Sequence, residues 1–370
     1  MRRRRGASVT EQPTPTHTSR YEPLIRSGQC AGRELANLNL RRLQCAGSDL
    51  HGSVLLNTSL AGAILDGADL SAATVQSCDF SGADLSRVRA AGAGFLSCVL
   101  QDAVAKRAML DDARFAECDL TRLDLRGSGL SRAVVNNCHA PSSNLAGAVL
   151  RDATIAGSVL SRAVLTRAKL ERVSLISVLL EHAVAVRTDF TAGTITDSGF
   201  TWLTAPGAIF RNMVLATAKM EHADVSRCDF SGATVSASTF DRATLRGSSL
   251  NHARFTDCTF EFADLRSIEA VATDFSNSSF VGADLRGARI ERCNLHGVDL
   301  YWADLAGCEL IDCDTSDARF PEPLHVAVGA EGFRPARVSP QPLYRIALPE
   351  QEWGDASSDP AVAGVQENGR

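Results

Sequence analysis

Aromatic side chains are scarce in this sequence, at 6% of 370 residues. A broad globular core built around large rings is therefore excluded, and the interior must be assembled from many small and aliphatic groups. Long apolar runs are missing too. No stretch of about 18 apolar residues could cross a membrane. The opening Met1–Gly6, with its Arg2 to Arg5 run, passes into polar sequence without the apolar segment of a signal peptide. These absences predict a cytoplasmic protein without a membrane partner. Neither charge sign dominates, since the net charge is -5. Direct DNA binding is not expected from such a balance, and there is no acidic tail. Recognisable site chemistry is also lacking. The eight histidines form no HExxH spacing, no CxxC pair occurs among 11 cysteines, and no P-loop, GxGxxG loop or GxSxG elbow is convincing. The chain is expected to be non-enzymatic and to carry no cofactor or metal.

What the chain does have is a period of five. Stepping by five from Leu50 to Phe320, 48 of 55 positions are Leu, Ile, Val, Met or Phe. Two residues before each sits a small side chain, as in Ala63, Ala68, Ala73, Cys78 and Ala83. An α-helix rotates such a series by about 140° per step, and a strand sends successive members to opposite faces. The chain must instead turn once per unit, with the large and the small residue pointing inward and three positions facing solvent.

Units such as Ser81-Gly82-Ala83-Asp84-Leu85 and Val281-Gly282-Ala283-Asp284-Leu285 resemble the A-(D/N)-L-x-x signature of the pentapeptide-repeat family. The resemblance runs without a slip of register from Leu35 to Phe320. It implies an all-β fold, a right-handed quadrilateral β-helix (solenoid) of about 14 coils with 20 residues per coil. At the usual strand spacing of about 4.8 Å, such a rod is on the order of 65–70 Å long. The domain plan is a disordered basic tail over 1–20, an N-terminal cap over 21–34, the repeat body over 35–320, a C-terminal cap segment over 321–349 and a disordered tail over 350–370. Tyr21–Ile25, Leu324–Val328 and Leu343–Leu348 are the expected covering segments for the open ends.

With 20 residues per coil, residues i and i+20 stack. Phe240, Phe260 and Phe280 should form one ladder, and Phe255 and Phe275 another. Nine cysteines occupy the small inward position, four of them (Cys78, Cys98, Cys118 and Cys138) in one column, and they read as small buried hydrophobes.

A full interior leaves function to the surface. On the face centred on Leu65, Leu85 and Leu125, the two positions after each centre carry Arg87, Lys106, Arg107, Arg126, Arg167, Arg187, Arg227, Arg246, Arg266 and Arg286. Asp264, Asp284 and Asp304 precede centres on that face and can answer these charges as an ion ladder. The opposite face carries Glu117, Asp197, Asp257 and Asp317 and no basic residue after its centres. The Arg and Asp ridge is the candidate partner-binding surface of a protein-binding scaffold, for a protein partner whose identity the sequence does not name. The alternative implied by the resemblance is a DNA-mimicking modulator of DNA gyrase or topoisomerase IV that gives drug or self-resistance. A repeat body of only about -6, with no interrupting loop, argues against that alternative.

Overall fold

In a computed structural model, residues 23–25, 27 and 29–321 are described. Within them the five-residue unit makes one side of a four-sided coil. Parallel bridges join residues 20 apart on all four sides, as in Glu34↔Val54, Asn39↔Ser59, Gln44↔Ile64 and Asp49↔Asp69. The result is a nearly all-β parallel solenoid of about 14 coils. The inward pair closes the interior: Ala63 and Leu65 are fully buried, as are Phe240, Phe255 and Phe260. The expected ladders form, with ring centroids 5.0 Å apart for Phe240–Phe260, 4.8 Å for Phe260–Phe280 and 5.9 Å for Phe255–Phe275. At the start of the body, Pro23–Ile25 forms a helical turn whose Ile25 joins the core. The remaining cap and tail segments, including Leu324–Val328 and Leu343–Leu348, lie outside the described residues.

Each corner has the same backbone device. The residue two after every large inward one has a φ between +46° and +70° from Gly32 to Asp317. On most corners this completes a type II turn, closed by a bond from the next small residue back to the large one. Ala63 N donates to Leu60 O at 2.9 Å, and Ala73 N to Leu70 O at 3.0 Å.

One column of corners is opened instead, and so, outside it, is the corner Val225–Cys228, bridged by Ser248. Next to that column run twelve three-residue parallel strands in one sheet, β1 (Glu34–Ala36) to β12 (Arg254–Thr256), one per coil. At several corners of the column a side chain from the following coil inserts between the two backbone groups that a closed turn would join. Leu38 N donates to Thr58 Oγ1 (3.3 Å), and that hydroxyl donates to Leu35 O (3.0 Å). Ser278 bridges Cys258 N (3.1 Å) and Phe255 O (2.8 Å) in the same way.

After β12 the opened corner moves to the neighbouring side, where β13 (Glu269–Val271), β14 (Arg289–Glu291) and β15 (Glu309–Ile311) form a second sheet. Cys293 Sγ now bridges Thr273 N (3.3 Å) and Ala270 O (3.2 Å). Buried cysteine, serine and threonine here supply hydrogen bonds that the backbone no longer makes for itself. The reading of the cysteines as plain hydrophobes is thereby extended: Cys98 Sγ donates to Val75 O at 3.4 Å, and Cys118 Sγ to Phe95 O at 3.4 Å.

Candidate protein-binding ridge

The Arg and Asp residues of the ridge lie on one side of the coil, brought into register by the parallel bridges Asp264↔Asp284 and Asp284↔Asp304. The unit itself aims them: the residue before each inward Leu points outward half-buried, and those one and two after it point outward at the turn. The charges nevertheless separate into three stretches along the axis.

At the far end the ladder is closed. Arg266 contacts Asp264 at 2.6 Å and Asp284 at 3.4 Å, and Arg286 contacts Asp284 at 2.6 Å and Asp304 at 3.4 Å. Partial burial pushes the Asp264 carboxyl up, but side-chain and backbone hydrogen bonds from Arg266 outweigh it and hold the group below the usual carboxylate range. Asp284 is held down in the same way by Arg286. The hydrogen bond to Asp264 in turn raises the Arg266 guanidinium. Arg246, the third cation of this group, makes no ion pair within 4 Å and only adds to the field that lowers Asp264.

At the near end the cations other than Arg107 also have partners. Arg87 pairs with Asp66, while Arg126 and Lys106 share Asp124 at 2.7 and 3.5 Å. The middle differs. Arg167, Arg187 and Arg227 are exposed there and, like Arg107 nearer the start, form no ion pair among the described residues. The positions that carry aspartate elsewhere are Val164, Val184 and Thr204 there. Glycines give three of these arginines a seat: a Cβ at Gly127 would lie 3.8 Å from Arg107 Cγ, one at Gly207 3.6 Å from Arg187 Cγ, and one at Gly247 3.8 Å from Arg227 Cγ. The expected counter-charging by Asp264, Asp284 and Asp304 thus holds for Arg266 and Arg286 and leaves Arg246 without an ion pair among the described residues.

Reading the sequence face by face overlooked two further charge columns. Arg122–Asp102 (2.5 Å), Arg132–Asp112 (2.7 Å) and Arg172–Asp152 (2.6 Å) each join turn residues one coil apart. The 20-residue spacing was the available signal. A column of exposed rings, containing Trp202, Phe262 and Trp302 and sharing its corner with Asp102 and Arg122, was also overlooked. On the face opposite the ridge, Glu117, Asp197, Asp257 and Asp317 are exposed as expected.

The interior offers little room for a ligand. An apolar cavity of about 10 Å³ borders Ile268, Phe275, Phe280 and Leu285, which is about the space of one water-sized probe. None of the 11 cysteines is in a disulfide, and all are buried. Burial pushes Cys228, Cys258 and Cys308 up to about 12, away from thiolate chemistry at neutral pH. Among the described residues no group of three or more His, Cys, Asp or Glu is placed to hold a metal ion, and no helix is long and apolar enough to cross a membrane.

A parallel solenoid of stacked, four-sided coils defines the class. The family model for pentapeptide repeats matches eight copies over residues 39–76, 63–95, 98–137, 143–181, 200–234, 236–269 and 271–307, and the chain belongs to that family. Similar solved structures include HetL, a pentapeptide repeat protein involved in heterocyst differentiation regulation from the cyanobacterium Nostoc. It is 21% identical over 81% of this chain and 95% of that one, with a TM-score of 0.23. A trypsin-treated form of QnrB1, a plasmid-mediated fluoroquinolone resistance protein, is 24% identical over 54% of this chain and 88% of that one, with a TM-score of 0.36. No curated protein matches the sequence.

Proposed function

We propose that the chain is a non-enzymatic, cytoplasmic binding rod that docks an anionic protein surface along the open middle of its ridge. One observation carries this reading: Arg167 and Arg187 project from adjacent levels of a rigid face, and Arg227 two levels further on, with no ion pair among the described residues, whereas Arg266 and Arg286 are neutralised within the chain. Like charges about 4.8 Å apart per coil repel by roughly 1 kcal/mol per neighbouring pair in water before screening, so an anionic partner relieves what the fold leaves in place. The half-buried Val164, Val184 and Val186 between them supply apolar contact area.

DNA mimicry of the kind the topoisomerase alternative needs calls for a broadly anionic surface. Here Asp102, Asp112 and Asp152 are each engaged by an arginine one coil away, so the scaffold reading is preferred. Charge reversal tests it. R167E/R187E/R227E is expected to lower recovery of the cellular partner by about tenfold or more, while R266E/R286E changes it less than about threefold. Equal loss from both variants would remove the open stretch from the interface. Stoichiometric protein should leave gyrase supercoiling unchanged.

A further inference from the structure

Trp202 stands at an outward turn position with a φ of +61°, and half of it is exposed, at 50%. Its indole is parallel to the rings of His182 and His222, one coil before and one coil after. The centroid distances are unequal, 6.2 Å to His182 and 4.1 Å to His222. The indole face turned towards His222 is covered, and the other looks into a slot about 2 Å wider.

Three coils further along the same corner, Phe262 has a φ of +56° and is 53% exposed. One face of its ring folds over Gly282, where a Cβ would come within 2.6 Å of the ring, so only glycine provides that seat. Its other face makes no ring or cation–π contact among the described residues, although the exposed Arg242 holds the same turn position one coil before. Bulky side chains are unfavourable at positive φ, where Gly or Asn is easily accommodated, and the core here is already filled. Folding therefore gives no reason for large rings at this corner.

Beside the rings runs a row of acids at the position just before each turn. Glu181, Glu221, Asp241 and Glu261 have no cationic partner within 4 Å among the described residues. Their oxygens accept only from neutral groups: the hydroxyls of Ser161, Thr201 and Ser279, and the Glu261 N–H.

We infer that this corner docks an extended, arginine-bearing segment of a partner protein. One guanidinium stacks on the Trp202 face turned towards His182, whose exposed imidazole swings aside because two van der Waals contacts need about 7 Å between rings, and a second lies on the free face of Phe262, each answered by the adjoining carboxylates. The negative row sets the sign of the partner, and the ring faces favour a planar cation over an ammonium. The chain already uses this contact on the same side, where the Arg319 guanidinium sits 3.9 Å over the Tyr301 ring. Three coils span about 14 Å, and an extended segment rises about 3.3 Å per residue, so the two arginines should be four residues apart. This surface is independent of the cationic ridge, having the opposite charge and lying on a different corner.

The test is fluorescence anisotropy of the full chain with a labelled eight-residue peptide bearing arginine at its second and sixth positions and serine elsewhere. Binding should weaken about fivefold or more when both arginines become lysine. It should weaken about tenfold with either Trp202→Gly or Phe262→Gly, glycine being suited to these backbone angles so that thermal midpoints stay at or above the parent value. Glu221→Gln with Glu261→Gln should weaken binding and flatten its salt dependence, whereas R167E/R187E/R227E should leave it within about twofold. Binding by the folded Trp202→Gly protein within twofold of the parent would overturn the inference. Equal affinity for the lysine peptide, or displacement of the peptide by cellohexaose, would do the same.

Discussion

The coils up to β12 and those from β13 onward are built from one five-residue unit, yet they open their backbone at different corners. In the first region, Thr58, the Cys78 to Cys138 column, Ser158, Ser198, Ser238 and Cys258 line the opened corner. In the second, Thr273, Cys293 and Cys313 occupy the neighbouring column, which holds mostly alanine before that point. The difference teaches that the inward small position does more than fill space. A hydroxyl or thiol that reaches both backbone groups takes over their hydrogen bonds at an opened corner, but Val178 and Ala218 stand in the same column and Ser143 and Thr188 stand over closed turns, so such a residue supports opening without dictating it. The ridge changes over the same stretch, from unpaired arginines at 167–227 to the closed ladder at 264–304.

The junction between the regions is the most sensitive point of this comparison. Phe255 is fully buried and touches Phe230, Phe240, Phe260 and Phe275 at centroid distances of 5.7 to 5.9 Å, so its ring belongs to both sides of the change. Phe255→Ala should cost about 3–5 kcal/mol, because neighbouring rings cannot collapse into the space. In a solenoid each coil contacts only its neighbours, so the loss should also uncouple the regions. Urea denaturation followed by circular dichroism is expected to change from one transition to two. A single transition displaced by less than about 1 kcal/mol would mean that the two sheets do not meet through this ring.

Most of the architecture was readable from the chain, because a period of five with a coil of 20 assigns nearly every residue to interior or surface. The Phe240, Phe260 and Phe280 ladder followed from that arithmetic alone. The change of corner was harder to see, since Cys, Ser, Thr and Ala all satisfy the requirement for a small inward residue. Only their bonds to backbone groups of the preceding coil distinguish them, and those bonds require coordinates. For the ridge, the pairing of Arg266 and Arg286 was legible from spacings of two and 20. The open stretch was equally written in Val164, Val184 and Thr204 but was hidden by counting arginines alone. The ring corner was missed because its turn position looks variable when units are read singly: His182, Trp202, His222 and Phe262 become a column only when read every 20 residues.

Serine separates the opened and closed corners by a smaller effect. Ser278 satisfies both Cys258 N and Phe255 O at the last opened corner of the first region. Ser278→Ala leaves two buried backbone groups without that partner and should cost about 1–3 kcal/mol. Ser143 sits beside a closed turn, where its own N–H reaches Ala140 O at 3.3 Å and its buried hydroxyl has no partner. Ser143→Ala should therefore be neutral or stabilising by about 1 kcal/mol or less. Equal destabilisation of the two variants by denaturant titration would refute the bridging role.

The smallest effect expected is electrostatic, and it belongs to the closed ladder rather than to the open ridge. Asp264 and Asp284 have folded-state pKa values below their ordinary ones. Their stabilisation is therefore present above the unfolded carboxylate value of about 3.9 and is lost as pH falls through the lower folded values. Because Arg266 and Arg286 are half-exposed, the contribution should stay below about 1 kcal/mol. Other carboxylates also titrate, so the informative quantity is the stability difference between the parent and a double Asp264→Asn, Asp284→Asn variant. That difference should be flat between pH 7 and 5 and shrink only below about pH 4. A difference that shrinks near neutral pH would place the titrating group elsewhere and weaken the contrast between a ladder neutralised within the chain and a ridge left open for a partner.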